Sequence, residues 1–289
     1  MAECSNETVK QKNCVKEELV EQGGPVFDPP VYIQRYTTVR DILYKTPGIY
    51  KIVDFGCAEG KFIKYLRKLP FVTEIACVDV NEACLDLAAS ISRPTAWDHV
   101  FKRHEDLSIK IFKGNAGEKD SRLLGYSAVT CIELIEHLQS SDLAPLVSNI
   151  FGYIRPKIAL FTTPNSEFNV LFPQLKGFRH WDHKFEWTRE EFRQWCKGVI
   201  DEYTDYTFEM QGVGEPPNEY SHLGGCSQLA VFRRNILADS PMKTNCSDHS
   251  YVMIDENCYP GRASQPVSKS NEISSESEGC QNIMGLGEM

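Results

Sequence analysis

Two carboxylates and an imidazole stand within one short run of this 289-residue chain, Cys131-Ile132-Glu133-Leu134-Ile135-Glu136-His137-Leu138. A helical turn beginning near Glu133 would place Glu133, Glu136 and His137 at i, i+3 and i+4 on one face, with Leu134, Ile135 and Leu138 turned to the interior. Each residue alone has an ordinary use, since acidic groups favour a helix start and a lone histidine is usually a polar surface group. Together, after an apolar strand, the three point to a metal ion. A fourth ligand must come from another loop, and the stretch 178–189 supplies His180 and His183. Thr188 followed by Glu191 reads as a helix capping box, so the chain up to His183 is expected to form a loop over the site. Mixed oxygen and nitrogen donors leave room for Mg²⁺ but suit Mn²⁺, Co²⁺ or Zn²⁺ better by ligand preference. Zinc-protease signatures carry a histidine at both ends of the motif and do not match.

A second group of residues has the spacing of a nucleotide-like site. Asp54-Phe55-Gly56-Cys57-Ala58-Glu59-Gly60-Lys61 follows an apolar run and reads as a tight strand-to-helix turn in which backbone passes close to a ligand. Asp79 ends the next apolar run at about the spacing where a carboxylate grips ribose hydroxyls. Asn115 follows the third such run, where a short polar side chain either contacts an adenine ring or simply closes a turn. A structural turn explains the glycines alone, and a dinucleotide fold explains the first two features. S-adenosylmethionine carries no phosphate, so the wide D-x-G-x-x-x-G spacing favours it over NAD, whose pyrophosphate normally selects the tighter G-x-G-x-x-G.

The elements that must position these groups alternate. Strand-like runs at 50–55, 74–80, 108–113, 127–132 and 157–162 are interleaved with helix-like runs at 61–69, 82–91 and 142–153, and a helix-like 189–197 precedes two further β-like runs at 206–210 and 228–232. Strand followed by helix, repeated, implies parallel strands joined by crossovers. The expected fold is α/β and Rossmann-like, a mostly parallel seven-stranded sheet with helices on both faces. Ligands of such sheets bind beyond the carboxyl ends of the strands, where both groups of candidate residues fall.

The domain is expected to span 26–238, between disordered tails at 1–25 and 239–289, the second acidic and rich in Ser and Glu. The net charge of −9 lies mostly in these tails, which speaks against non-specific coating of a polyanion yet leaves a local basic groove open. Eleven scattered cysteines without a CxxC pair suggest reduced thiols, and no apolar run approaches the length of a membrane span. A soluble intracellular monomer is the expectation.

Over residues 27–234 the chain resembles the small-RNA 3′-terminal 2′-O-methyltransferases, of the animal type acting on piRNAs. The resemblance rests on F-D-P-P-V-Y-I-Q-R-Y at 27–36, D-S-R-L-L-G at 120–125, C-I-E-L-I-E-H-L at 131–138, T-P-N-S-E-F-N at 163–169, D-H-K-F-E-W-T-R at 182–189 and G-V-G-E-P-P at 212–217. It implies the class I methyltransferase fold and S-adenosylmethionine as cofactor, contacted by Gly56, Asp79 and Asn115. It implies one divalent metal on Glu133, Glu136, His137 and His183, with His180 outside the set. Its substrate would be a single-stranded small RNA with free 2′- and 3′-hydroxyls, presented by an Argonaute/Piwi-type protein in the cytoplasm, in RNA granules. Ala58 departs from the family pattern, since many methyltransferases have a glycine there. In the mechanism so implied, the ion engages both terminal hydroxyls and lowers the pKa of the 2′-OH, and His137 or His183 serves as an additional general base. Arg35, Arg40, Lys184 and Arg189 are candidate phosphate contacts, with ion-paired surface charge as the plainer reading. A metal-dependent phosphoesterase, a methyltransferase of another RNA or a small-molecule hydroxyl, and a non-catalytic RNA-binding module are the competing functions; the phosphoesterase leaves the 54–60 turn and Asp79 without a role.

Overall fold

The computed structural model describes residues 24–235 and 249–262. In chain order the elements are α1 (Val31–Lys45), β1 (Lys51–Phe55), α2 (Ile63–Leu66), β2 (Glu74–Asp79), α3 (Glu82–Ile91), α4 (Ala96–Val100), β3 (Leu107–Lys113), β4 (Ala128–Ile132), α5 (Ser140–Val147), β5 (Ile158–Pro164), α6 (Arg189–Glu202), β6 (Tyr206–Val213), β7 (Ser227–Arg234) and β8 (Val252–Tyr259). One sheet contains all eight strands in the order β6-β7-β5-β4-β1-β2-β3-β8. Strands β1 to β5 run parallel, while β7 is antiparallel to both β5 and β6. The order reverses between β1 and β4, so the switch point at which open sheets bind ligands lies beside Asp54 and Glu133.

Both faces of the central strands are covered, which is why 51–55, 128–132 and 158–164 read as nearly unbroken apolar runs. Successive residues feed opposite cores. Ile52 and Ile75 pack with Val39 and Leu43 of α1, Leu66 of α2 and Leu85 of α3. Val53, Phe55, Val129 and Phe161 pack with Leu146 of α5 and Phe192 of α6. The Thr188–Glu191 capping box starts α6 as its residues indicate.

The eighth strand corrects the expectation of seven strands and of a disordered 239–289 tail. Residues 252–259 pair antiparallel with β3. Their sequence, VMIDENCY, has little apolar periodicity because an edge strand with mostly exposed side chains is held through its backbone. Buried Tyr251 and Tyr259 pin its two ends. The expected tail segments 1–23, 239–248 and 263–289 lie outside the described residues. No helix among the described residues is long and apolar enough to cross a membrane.

Candidate active site

The β1 turn takes left-handed backbone at Gly56 (φ +70°) and Gly60 (φ +74°), and also at Ala58 (φ +44°). Ala58 therefore keeps the local conformation a glycine would supply, at a cost in strain that its methyl imposes. A Cβ on Gly56 would lie 2.8 Å from the Leu134 side chain, so the turn and the chain after β4 are in direct contact. Gly60 is close for another reason: a Cβ there would meet Ile63 and Ala88 at 2.8 and 2.9 Å, which makes it a packing glycine under α3.

Asp79 ties the two cofactor-side strands together. Its Oδ2 accepts the Ala58 N–H at 2.9 Å and its Oδ1 the Asn81 N–H at 2.9 Å. Each carboxylate oxygen keeps a further lone pair for a ribose hydroxyl. Asp54 is buried, with Oδ1 accepting the Thr130 hydroxyl at 2.6 Å. Burial pushes its carboxyl up to about 7, helped by the charge of Asp79 and opposed by the Thr130 bond. Asn115 is exposed and accepts the Gly117 N–H at 2.9 Å, so it is a turn asparagine placed beside the site, one residue after Gly114, whose N–H donates to the Asp79 carbonyl at 3.0 Å. Replacing Asp79 by alanine removes the acceptor of two backbone donors; S-adenosylmethionine is expected to bind about 10- to 100-fold more weakly, measured by calorimetry.

The chain leaving β4 departs from the expected helical turn at Glu133. Glu133 is left-handed (φ +52°), its N–H donating to the Thr162 carbonyl at 3.0 Å, and the only helical geometry is a 3₁₀ turn over Ile135–His137. The sharp turn nevertheless brings both carboxylates together. Glu136 is fully buried, and its Oε2 accepts the Thr163 hydroxyl at 3.0 Å. Burial holds its carboxyl well above the usual range, with the nearby Glu133 charge the next cause. The Oε1 atoms of Glu133 and Glu136 are both buried without a hydrogen-bond partner. Buried acceptors of this kind are costly unless something satisfies them, and a cation would satisfy both. Of the interior assignments, Ile135 holds, while Leu134 and Leu138 are only half-buried.

Ring nitrogens of His137, His180 and His183 all lie within 4.8 Å of one another. Thus His180, placed outside the ligand set by resemblance, joins His137 and His183, whereas among the described residues neither Glu133 nor Glu136 falls within that spacing of the three rings. The protonation of the rings separates the three. His183 Nδ1 faces Glu186 Oε1 at 2.6 Å and His137 Nδ1 faces Asp182 Oδ2 at 3.2 Å. A carboxylate can only accept, so Nδ1 of each carries a proton, and in the neutral ring Nε2 is then bare, as in carboxylate–histidine–metal arrangements. His180 Nδ1 instead accepts the Asp182 N–H at 3.2 Å, which puts the proton of its neutral ring on Nε2. Burial holds His137 below the ordinary imidazole range, although Asp182 pulls the other way.

The frame behind His183 was not assigned from sequence. Glu186 accepts the Arg179 N–H at 2.6 Å and the Asn169 side-chain amide at 2.7 Å, while Arg179 donates to Asn169 Oδ1 at 2.5 Å and to the Cys226 carbonyl at 2.8 Å. Lys184 N–H donates to the Glu136 carbonyl at 2.7 Å and closes the histidine loop onto the 3₁₀ turn. The one sequence clue was Glu186 standing three residues after His183. The proposed phosphate contacts resolve into ion pairs: Arg35 with Glu133 (3.4 Å), Arg40 with Asp41 (2.6 Å), Lys184 with Asp182 (2.8 Å) and Arg189 with Glu167 (2.5 Å). Arg35 is the notable one, because its partner is a candidate ligand and it also donates to Ser227 Oγ at 3.1 Å.

A parallel α/β sheet of this strand order, with a glycine turn after β1 and an acidic end to β2, defines an S-adenosylmethionine-dependent methyltransferase of class I. A methyltransferase domain family model matches residues 29–199. The chain is 42% identical over 221 residues to the small RNA 2′-O-methyltransferase of Drosophila melanogaster, covering 74% of this chain and 56% of that protein. The crystal structure of small RNA methyltransferase HEN1 superposes with a TM-score of 0.68 at 32% identity, covering 80% of this chain and 28% of that one. The methyltransferase domain of a bacterial Hen1 matches with a TM-score of 0.59 at 32% identity, covering 70% of this chain and 99% of that domain. The chain belongs to the small RNA 2′-O-methyltransferase family. It spans little more than half the length of the curated animal relatives it matches.

Proposed function

We propose that this chain transfers the methyl group of S-adenosylmethionine to the 2′-hydroxyl of the 3′-terminal nucleotide of a small single-stranded RNA. The observation that carries this reading is the contact of Leu134 with Gly56: the candidate ion-holding loop rests directly on the cofactor turn. A methyl donor at the one and an RNA terminus at the other would be neighbours, as transfer between them requires. Glu133, Glu136, His137 and His183 would hold a divalent ion: the two orphaned, buried carboxylate oxygens call for a cation, and mixed oxygen and imidazole donors leave room for Mg²⁺ and suit Mn²⁺ better. Such an ion, when bound, would lower the pKa of a ribose hydroxyl.

The chain's own residues supply the rest. Asp79 orients the cofactor ribose, Glu186 and Asp182 fix the ring orientation of His183 and His137, and Arg35 offsets part of the negative charge that Glu133 and Glu136 bring together. A bare Nε2 not engaged by the ion would be able to take the hydroxyl proton. The resemblance to animal enzymes makes a piRNA the substrate, an Argonaute/Piwi-type protein its carrier, and cytoplasmic granules the location, with the enzyme acting as a monomer.

The test is methyl transfer from labelled S-adenosylmethionine to a single-stranded RNA, with and without chelator, followed by periodate treatment. Chelator-sensitive labelling that protects the 3′ end from oxidation is expected. Labelling that leaves the end periodate-sensitive would move the methyl elsewhere on the RNA and overturn the reading.

A further inference from the structure

The polypeptide beyond the seven strands usual for this fold returns to the cofactor side of the sheet. Residue 250 lies beside the loop that follows β3, and the next residue, Tyr251, is only 4% exposed. Its ring lies so close over Gly114 that a Cβ there would stand 2.1 Å from the ring edge. No side chain other than hydrogen fits at 114 while Tyr251 is in place. The Tyr251 hydroxyl donates to the Glu118 carbonyl at 2.7 Å, its N–H donates to Asp120 Oδ2 at 2.9 Å, and its carbonyl accepts from Arg122. Ser250 donates to the Lys119 carbonyl at 2.8 Å. From the other side, Asn149 donates to the carbonyls of Ala116 and Glu118, both at 2.8 Å.

The 114–120 loop is thereby held at the Ala116, Glu118 and Lys119 carbonyls, and Asn115, the residue expected at the adenine ring, is exposed within it. The loop also connects to Asp79 through the Gly114 N–H. Apart from the Gly114–Asp79 and Asn149 bonds, these restraints come from Tyr251, its neighbour Ser250, and residues that Tyr251 itself engages. We infer that Tyr251 is a positioning residue for S-adenosylmethionine, and that the returning C-terminal segment is part of the cofactor site. Its role is to set the backbone from which Asn115 and Asp79 act.

This inference rests on the cofactor half of the proposed function, so its test uses no RNA. Calorimetry would give the dissociation constant for S-adenosylmethionine and S-adenosylhomocysteine with the full chain and with Tyr251→Ala, Tyr251→Phe and Tyr259→Phe. Tyr259 closes the opposite end of β8, where its hydroxyl donates to the Ser92 carbonyl at 2.8 Å, far from the 114–120 loop in the strand register. Tyr251→Ala is expected to weaken cofactor binding about 10-fold, and Tyr251→Phe, which keeps the ring over Gly114 and loses the bond to Glu118, about 3-fold. Tyr259→Phe is expected to lower the melting temperature without moving the dissociation constant. In turnover the Tyr251 variants should raise KM for the cofactor and leave kcat within about 2-fold. Unchanged affinity in folded Tyr251→Ala, or in Tyr251→Phe should the alanine variant not fold, overturns the inference, as does an equal loss in Tyr259→Phe. Absence of cofactor binding by the unaltered chain would instead overturn the proposed function.

Discussion

His183→Ala is expected to reduce methyl transfer by about 10³-fold or more, whereas His180→Ala should cost less than about 10-fold. Both rings lie in the same cluster, and proximity alone does not separate them. What separates them is the proton. Glu186 draws the His183 proton to Nδ1 and leaves Nε2 as a bare donor, in a ring whose side chain is only 7% exposed. His180 is exposed, and its Nδ1 is spent on the Asp182 N–H, so binding an ion through Nε2 would first require a change of tautomer and loss of that bond. The measurement is kcat/KM for both variants together with Mn²⁺ affinity by calorimetry and cofactor affinity as a control. His183→Ala should lose ion binding and keep cofactor binding within about 2-fold, since the Leu134–Gly56 contact joins the subsites through backbone placement rather than through the imidazole. Equal losses in the two variants would mean that His180 is a ligand and that the tautomer argument is wrong.

The parts of this molecule that were legible in its sequence are those with local signals. The β1, β4 and β5 strands stood out because burial on both faces leaves little room for polar residues, and the 54–60 turn because left-handed backbone selects glycine. Glu133, Glu136 and His137 were found because two carboxylates and an imidazole stand together in the short run that follows a strand. The turn that places Glu133 was not legible: a left-handed glutamate leaves no mark in composition, and the i, i+3, i+4 argument reached the right residues through the wrong geometry. Strand β8 was missed because edge strands are held by backbone pairing, which side-chain patterning does not report. Arg35 read as a candidate phosphate contact or a surface charge because its partner, Glu133, is nearly a hundred residues away in sequence. The same distance effect hid Asn165, whose side chain donates to the Leu223 and Gly225 carbonyls at 2.8 and 2.9 Å and ties the β5 exit to the segment that leads into β7. Local periodicity reports elements, whereas the precision of a site comes from contacts between elements.

An RNA ending in a 3′-phosphate is expected to be methylated at least about 10³-fold more slowly than the same RNA ending in 3′-OH, and a 3′-deoxy end about 10- to 100-fold more slowly. The 3′-deoxy terminus lacks one of the two oxygens proposed to engage the ion site, a loss comparable to that of a charge-assisted contact. The phosphate loses the same hydroxyl and adds up to two negative charges where Glu136 is already fully buried and raised in pKa by burial and by Glu133. Arg35 is a cation beside this site, and its Nη1 already faces Glu133 and Ser227. Its guanidinium is therefore poorly placed to neutralise an incoming phosphate without releasing a carboxylate that the ion needs. The comparison should be run at saturating cofactor, reading single-turnover rates so that product release does not mask the difference. Equal rates on all three ends would remove the two-hydroxyl requirement and leave the 2′-oxygen as the sole point of contact. A slow 3′-phosphate with a fully active 3′-deoxy end would assign the discrimination to charge alone, and Glu136 rather than ion chelation would then be the selective element.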